Sequence, residues 1–140
     1  FEELTRSICI SLGASVTSVG LLVDNNQSIQ TVSLCQDGKM ISNIKYPLEN
    51  TPCLETVSKD FCLYQSMVQT HFPLDDYFKD HNIEAYVGMP LMNDEGTVIG
   101  ELVSLCRSQI AEDHLIIGGL RAVADRCAIE LCRYKNRKKL

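Results

Sequence analysis

The sequence predicts an α+β domain in which an antiparallel sheet is covered on both of its faces. The clearest observation is the stretch 86–106, where two apolar runs rich in β-branched residues flank the turn 93–96 (NDEG). This pattern is typical of a β-hairpin whose loop ends on a glycine with positive φ. Neither face of the hairpin is polar, and a sheet with two apolar faces has to be covered twice. Helical periodicity at both chain ends supplies candidate elements for that cover.

The two faces of the hairpin differ in side-chain size. If Met92 pairs with Thr97, Tyr86 lies near Val103 and Gly88 lies directly across from Glu101. Alternation then divides the side chains into two sets. The set expected against the terminal helices is Ala85, Val87, Met89, Leu91, Val98, Gly100, Leu102 and Ser104. The set expected toward the other layer is Tyr86, Gly88, Pro90, Ile99, Glu101, Val103 and Leu105.

The first third of the chain predicts a helix followed by a hairpin. Apolar residues recur at helical spacing over residues 1–12, and Gly13 follows as a stop signal. Residues 16–23 and 29–35 are β-rich and enclose the turn 24–26, so we expect them to pair as antiparallel strands.

Residues 40–83 are less regular and predict a cover over one face of the sheet. Ile44, Tyr46 and Leu48 alternate around Pro47, which indicates a short edge strand. A helix is expected to begin with Thr51 as cap and Pro52 as its first residue. It would turn Cys53, Leu54 and Val57 inward. Residues 61–64 are extended, and 74–79 form one or two helical turns.

A long helix is predicted over residues 110–140, with Glu112 and Asp113 favouring its start. Its apolar stripe is Ile116, Leu120, Val123, Cys127, Leu131 and Tyr134. Because this stripe is longer than one small sheet can cover, we predict a homodimer in which the terminal helices pack side by side. The residues expected to form this bundle and relay helix are Leu4, Ile8, Leu120, Val123, Cys127 and Leu131.

Charge and composition limit the classes of function. The chain of 140 residues predicts one domain, 1–140, excised from a longer protein, with 111–140 as a C-terminal signalling helix. No apolar run reaches the length of a membrane span. The net charge is −5, and because five cations lie within residues 133–139, the remainder carries −10. This acidic body disfavours a nucleic-acid partner.

The seven cysteines are odd in number and show no CxxC spacing. We therefore predict free, reduced thiols without a metal, as expected for a cytoplasmic protein.

Three segments together resemble the GAF domain of bacterial multidomain signalling proteins, where it stands beside PAS, histidine-kinase, diguanylate-cyclase or phosphodiesterase modules. They are 46–53 (YPLENTPC), 61–76 (FCLYQSMVQTHFPLDD) and 83–105 (IEAYVGMPLMNDEGTVIGELVSL). The resemblance implies a PAS-related antiparallel sheet of about six strands between terminal helices and a ligand-side cover. It also implies a sensory domain that relays the binding of a small molecule to an output domain, without itself being an enzyme. The cofactor, if any, stays unknown.

The predicted ligand site rests on Glu101, because a mid-strand carboxylate is costly to bury without a partner. We expect Glu101 and Tyr86 to orient a small molecule in a partly polar pocket, beside Val103 and beneath Tyr64, His71 and Phe72. The room for it would come from Gly88. Two alternatives remain open: that Glu101 reaches solvent, or that it pairs with a structural arginine.

Other functions stay open at this point. The chain lacks the Asn-Lys…Phe…Asp-Glu signature of cyclic-nucleotide-binding relatives and the Cys-His dipeptide of bilin-binding ones. A haem would need His71 or His81 as its axial ligand. A thiol-based methionine sulfoxide reductase would need Cys53, Cys62 and Cys106 to meet, with Cys53 activated at a helix start. A ligand-free dimerisation and relay module is the remaining alternative.

Overall fold

A computed structural model describes residues 1–111 and 114–138. The predicted role of Glu112 and Asp113, and the last two residues of the predicted helix, lie outside these ranges, as does the side chain of Ile116. The helices are α1 (Glu2–Leu12), α2 (Cys53–Ser58), α3 (Val68–His71), α4 (Asp76–Asp80) and α5 (His114–Lys138). The strands are β1 (Val16–Val23), β2 (Ser28–Gln36), β3 (Lys39–Met40), β4 (Lys45–Pro47), β5 (Cys62–Tyr64), β6 (Ala85–Met92) and β7 (Val98–Cys106).

The strands form one antiparallel sheet in the order β3-β2-β1-β7-β6-β5, and β4 pairs with the other end of β2. The predicted α+β fold is confirmed. The turn at the end of α1 forms as predicted, because Gly13 adopts φ 62° and closes the helix. The hairpin β1–β2 also forms as predicted.

The central hairpin β6–β7 forms, but its predicted register is wrong by two residues. Glu101 lies across from Pro90, and Gly88 lies across from Val103. The reason lies in the turn, where the side chain of Asn93 accepts hydrogen bonds from the backbone of Glu95 and Thr97 at 3.0 Å each. Thr97 is thereby held in the loop, and the strand starts one residue later than expected.

A shift of two residues preserves the side-chain faces, so the assignment of the faces is confirmed apart from one position. A bulge opposite Met92 moves Ile99 into the helix-side cluster with Leu102, contrary to its predicted face.

Helices α1 and α5 both lie on one face of the sheet. Their contact with the sheet is closest at Gly100, where an added Cβ would lie 2.6 Å from the Leu131 side chain and would also clash with the carbonyl oxygen of Gly20. Only glycine permits this approach between strand and helix.

The stripe predicted to form a dimer is largely inside the subunit. Four of the expected bundle residues pack against the chain's own sheet and are 0–6% exposed: Ile8, Leu120, Cys127 and Leu131. Around them pack the partly buried side chains of Leu4 and Val123. The prediction that the stripe outruns the sheet is therefore wrong for Leu120, Cys127 and Leu131, and Ile8 of α1, also expected in the bundle, is buried as well. In the described residues, no helix is long and apolar enough to cross a membrane.

The segments between β4 and β6 cover the opposite face, as predicted. Two details differ. Pro52, rather than Thr51, precedes the first residue of α2, and the Thr51 hydroxyl donates to the Leu48 carbonyl at 2.7 Å. Leu54 is exposed, and Thr56 takes the inward position instead. Helix α3 was not predicted.

Candidate functional site

A cavity of about 360 Å³ lies between the sheet and its irregular cover. Its floor is built from alternate side chains of three neighbouring strands, together with Tyr86 of β6. Its walls come from β4, the start of α2, and the segment 74–78 that contains α4. The lining residues are Val16, Ser18, Thr31, Leu34, Ile44, Tyr46, Pro47, Glu49, Asn50, Thr51, Cys53, Leu74, Asp75, Asp76, Tyr77, Phe78, Tyr86, Val103 and Leu105.

Two residues of this lining carry hydroxyl groups that have no hydrogen-bond partner among the described residues. The hydroxyl of Tyr77 is buried without one, and the ring of Tyr77 is stacked on His81 at 4.1 Å between centroids. Ser18 is 6% exposed, and its side chain makes no hydrogen bond to the described residues. Thr31, by contrast, is satisfied, since its hydroxyl donates to Asn43 at 3.0 Å and accepts from a backbone amide. Unpaired polar groups are costly in a protein interior unless a ligand or water completes them.

A buried polar cluster stands behind one wall of the cavity, centred on Glu101. Its carboxylate accepts a hydrogen bond from the Tyr46 hydroxyl at 2.9 Å and a longer one from the Tyr86 hydroxyl at 3.5 Å. The Tyr86 hydroxyl also shares a hydrogen bond with Thr56 at 2.7 Å. The Cys53 sulfur lies 3.4 Å from the Tyr46 hydroxyl and 3.5 Å from that of Tyr86.

This cluster contains no cation. Glu101 is 1% exposed, and none of the three ion pairs among the described residues includes it. Burial raises the pKa of Glu101 to about 7, although the Cys53 thiol and the two tyrosine hydroxyls oppose that shift. Burial likewise raises the pKa of Tyr46, Cys53 and Tyr86 well above the ordinary values, and the negative charge of Glu101 adds to this. These four side chains therefore stay protonated to a higher pH than exposed side chains of the same types.

The six residues predicted to bind a ligand do not all meet at the cavity. Tyr86 and Val103 line it, whereas Glu101 is separated from it by the side chains of its own cluster. Both alternatives for Glu101 are wrong, because the carboxylate neither reaches solvent nor pairs with an arginine of the described chain.

The three cover residues of that set lie elsewhere. Tyr64 and His71 line a second, open depression beside β5. Phe72 packs edge-on against Tyr64 at 5.3 Å between ring centroids. The Tyr64 hydroxyl is already used, because it donates to Glu55 at 2.8 Å.

The space expected at Gly88 is filled. A Cβ at this position would clash with the hydroxyl groups of Tyr86 and Thr56. The missing side chain at Gly88 thus makes room for the hydroxyl groups of Tyr86 and Thr56, and not for a ligand. Sequence reasoning missed Tyr46, Ser18 and Tyr77 as site residues. For Ser18 there was a signal, namely a serine in the middle of an apolar strand.

The geometry does not favour the haem or thiol-enzyme alternatives. No histidine is among the described residues that line the cavity. Cys106 lies with Cys9 and Ala85 on the helix side, away from Cys53 and Cys62. Burial raises the pKa of both Cys62 and Cys106 to about 11, opposite to the shift that an attacking thiolate requires. The seven cysteines are free in the structure, while their reduced state in solution stays a prediction.

Comparison with known proteins places the fold. No family model and no curated protein sequence matches the chain. Among solved structures, the GAF domain of an Acinetobacter phosphoenolpyruvate-protein phosphotransferase has a TM-score of 0.73 at 12% identity, over 98% of this chain and 82% of that one. The blue-light absorbing PixJ GAF domain of Thermosynechococcus elongatus has a TM-score of 0.71 at 14% identity, covering 99% and 86%. A domain assigned to a two-component sensor histidine kinase of Sinorhizobium meliloti has a TM-score of 0.68 at 14% identity, covering 96% and 92%. The chain therefore has the GAF-domain fold.

Proposed function

We propose that this GAF-fold domain is a sensory module that binds a small molecule in the 360 Å³ cavity and relays its occupancy through α1 and α5. The observation that carries the proposal is a largely apolar cavity whose lining includes Ser18, a side chain with no hydrogen-bond partner among the described residues. Apolar pockets with a few convergent polar groups are the usual form of small-molecule sites. The comparisons support the proposal, since two of the similar structures are parts of a kinase and of a light-absorbing protein.

Strand β7 supports the relay part of the proposal. Val103 lines the cavity, while its neighbour Leu102 and the nearby Gly100 face the terminal helices. If ligand binding displaces Val103, the displacement occurs one residue from Leu102, which packs in the same cluster as residues of α5. Packed interfaces of this kind convert small displacements into shifts of whole helices.

Homodimerisation remains part of the proposal, through a different surface from the predicted stripe. Ile10 of α1 and Ile129 of α5 are 68% and 55% exposed in the single chain. We expect Ile10→Glu combined with Ile129→Glu to convert a dimer to a monomer in analytical ultracentrifugation. The variant should still unfold cooperatively, and it should lose the dependence of the unfolding temperature on protein concentration that a dimer shows. A parent protein that sediments as one chain at about 100 µM contradicts this part.

The test of binding is a variant that fills the cavity. Ser18→Phe places a ring over the floor, and Met92→Phe is its matched control on an exposed edge of the same sheet. Thermal shift against a metabolite library, with native mass spectrometry of the freshly purified protein, should find compounds that stabilise the parent and Met92→Phe alike. Ser18→Phe should respond to none of them. If no compound binds the parent, the domain is instead a ligand-free relay module. If Ser18→Phe responds equally, the compounds bind outside this cavity and the proposed site is wrong.

A further inference from the structure

We propose that the cavity selects a hydrophobic amine whose ring system carries one hydrogen-bonding group, and that it rejects anions. This inference rests on the proposed function, because it specifies the ligand class for the same cavity. In this arrangement the apolar body lies on the floor between the sheet and Phe78, while the protonated nitrogen stays at the mouth.

The charge of the lining is entirely negative. Glu49, Asp75 and Asp76 are carboxylates, and no lysine, arginine or histidine is among the described residues that line the cavity. The Asp75 carboxylate accepts a hydrogen bond from the Tyr77 backbone amide at 3.2 Å. Glu49 and Asp76 are exposed at the rim and take part in none of the ion pairs among the described residues. A ligand carboxylate or phosphate would enter this rim against like charges, whereas an ammonium group would find its counter-ions in place.

Two nearby basic residues, Lys45 and Arg107, already have carboxylate partners. Lys45 pairs with Asp24 at 2.7 Å, and Arg107 pairs with Asp37 at 2.8 Å. On the other side of the wall, the polar cluster contributes a carboxyl group, Glu101, and no cation. The carboxylates of the rim therefore disfavour a bound anion, and the wall supplies no cation to offset them.

The floor defines the body of the ligand. Val16, Leu34, Val103 and Leu105 give it an apolar surface. Ser18 is more than nine-tenths buried and its hydroxyl has no partner among the described residues. A purely hydrocarbon body would leave this hydroxyl unpaired, so we expect a ring N–H or hydroxyl beside it.

The volume limits the size. A cavity of about 360 Å³ is at the lower end of the range of small-molecule sites. A bicyclic aryl amine fits that volume.

The experiment uses three probes with one shared body: tryptamine, which is cationic, 3-methylindole, which is neutral, and indole-3-acetate, which is anionic. Isothermal titration at low ionic strength should give tryptamine an affinity about tenfold higher than that of indole-3-acetate, with 3-methylindole between them. In Glu49→Gln combined with Asp76→Asn, the three affinities should converge. The matched control, Asp94→Asn combined with Glu95→Gln in the distant β6–β7 turn, should preserve the tenfold ratio.

The role of the floor has its own matched pair. Ser18→Ala should weaken tryptamine severalfold and leave 2-(1-naphthyl)ethylamine, which lacks the ring N–H, unchanged.

The outcomes separate this inference from the proposed function. Equal affinities for the three probes, or a preference for indole-3-acetate, overturn the amine selectivity while leaving the cavity as a binding site. Binding of tryptamine that survives Ser18→Phe places the site elsewhere and overturns both. Failure of all probes at millimolar concentration, in a protein that the metabolite library does stabilise, overturns the amine class alone.

Discussion

The two sides of the sheet differ in how completely their buried polar groups are paired. On the helix face the hydroxyls pair with each other, Thr5 with Ser33 at 2.8 Å and Thr17 with Ser104 at 2.9 Å. On the cover face Ser18 and Tyr77 are left unpaired, and Glu101 has hydrogen bonds without a counter-ion. A face whose polar groups satisfy one another is complete as a structure. The face whose groups are not satisfied is the one where a ligand has interactions to add.

The largest expected effect comes from breaking the helix face. Leu131→Glu places a charge at a fully buried position against Gly100 and should lower the free energy of unfolding by about 4 kcal/mol or more. The control is Asn136→Glu at an exposed position of the same helix, expected to change it by less than about 0.5 kcal/mol. Urea unfolding at one low protein concentration measures both. Equal effects of the two variants would contradict the placement of Leu131 in the core.

The next effect concerns Glu101 on the cover face and depends on pH. Its pKa is about 7 in the folded protein against an ordinary value of 4.5. Folding therefore favours the protonated form. The stabilisation is complete below pH 4.5 and is lost as pH rises through 7, by about 3 kcal/mol in total.

Glu101→Gln removes that loss, because the amide does not ionise. Relative to the parent, we expect the variant to gain about 3 kcal/mol in free energy of unfolding between pH 5 and pH 8. Urea titrations at the two values measure this difference, in which the contributions of all other groups cancel. Parallel pH dependence of the two proteins would show that Glu101 titrates normally.

A smaller effect is expected when a pair of hydrogen-bonded hydroxyls on the helix face is broken. Thr17→Val should cost about 1–2 kcal/mol, since it leaves the Ser104 hydroxyl unpaired, and Ser104→Ala should cost a similar amount. The double variant should cost less than the sum of the two, because no orphaned group remains. A strictly additive double-mutant cycle would argue against the hydrogen bond.

The smallest effect is expected on the cover face at Ser18. Because its hydroxyl has no partner to lose, Ser18→Ala should change the free energy of unfolding of the ligand-free protein by less than about 0.5 kcal/mol. The comparison with Ser104→Ala, on the neighbouring strand, is direct. A cost as large as that of Ser104→Ala would mean that Ser18 is structural.

The regular half of the fold was predictable because local patterns determine it. Runs of β-branched and apolar residues beside turn signals identified β1, β2, β6 and β7. The faces of the central hairpin survived an incorrect register because the shift was an even number of residues. The shift itself was not predictable from strand patterns, since it depends on how Asn93 captures Thr97 in the turn.

The site was predicted less completely, because its contacts join distant parts of the chain. Glu101 was identified from its own sequence context, but its partner Tyr46 lies 55 residues earlier on an edge strand. The cover residues Tyr64, His71 and Phe72 were grouped by aromatic character, which does not reveal that they pack beside β5 rather than over the cavity. Likewise, helical periodicity identified the apolar stripe of α5 but did not show that Leu131 is buried within the subunit.

The contact between Gly100 and Leu131 has a consequence for how such a domain diversifies. The lining residues that take no part in the Glu101 cluster can be exchanged for other side chains that fit, so we expect new ligands to become accessible by single substitutions. Position 100 has no such freedom, since any Cβ there would clash with the neighbouring strand and with α5. An alignment of future relatives should therefore vary around Ser18 and hold glycine at position 100. Under the proposed function, the ligand would then differ between lineages while the contact between the sheet and α5 stays the same.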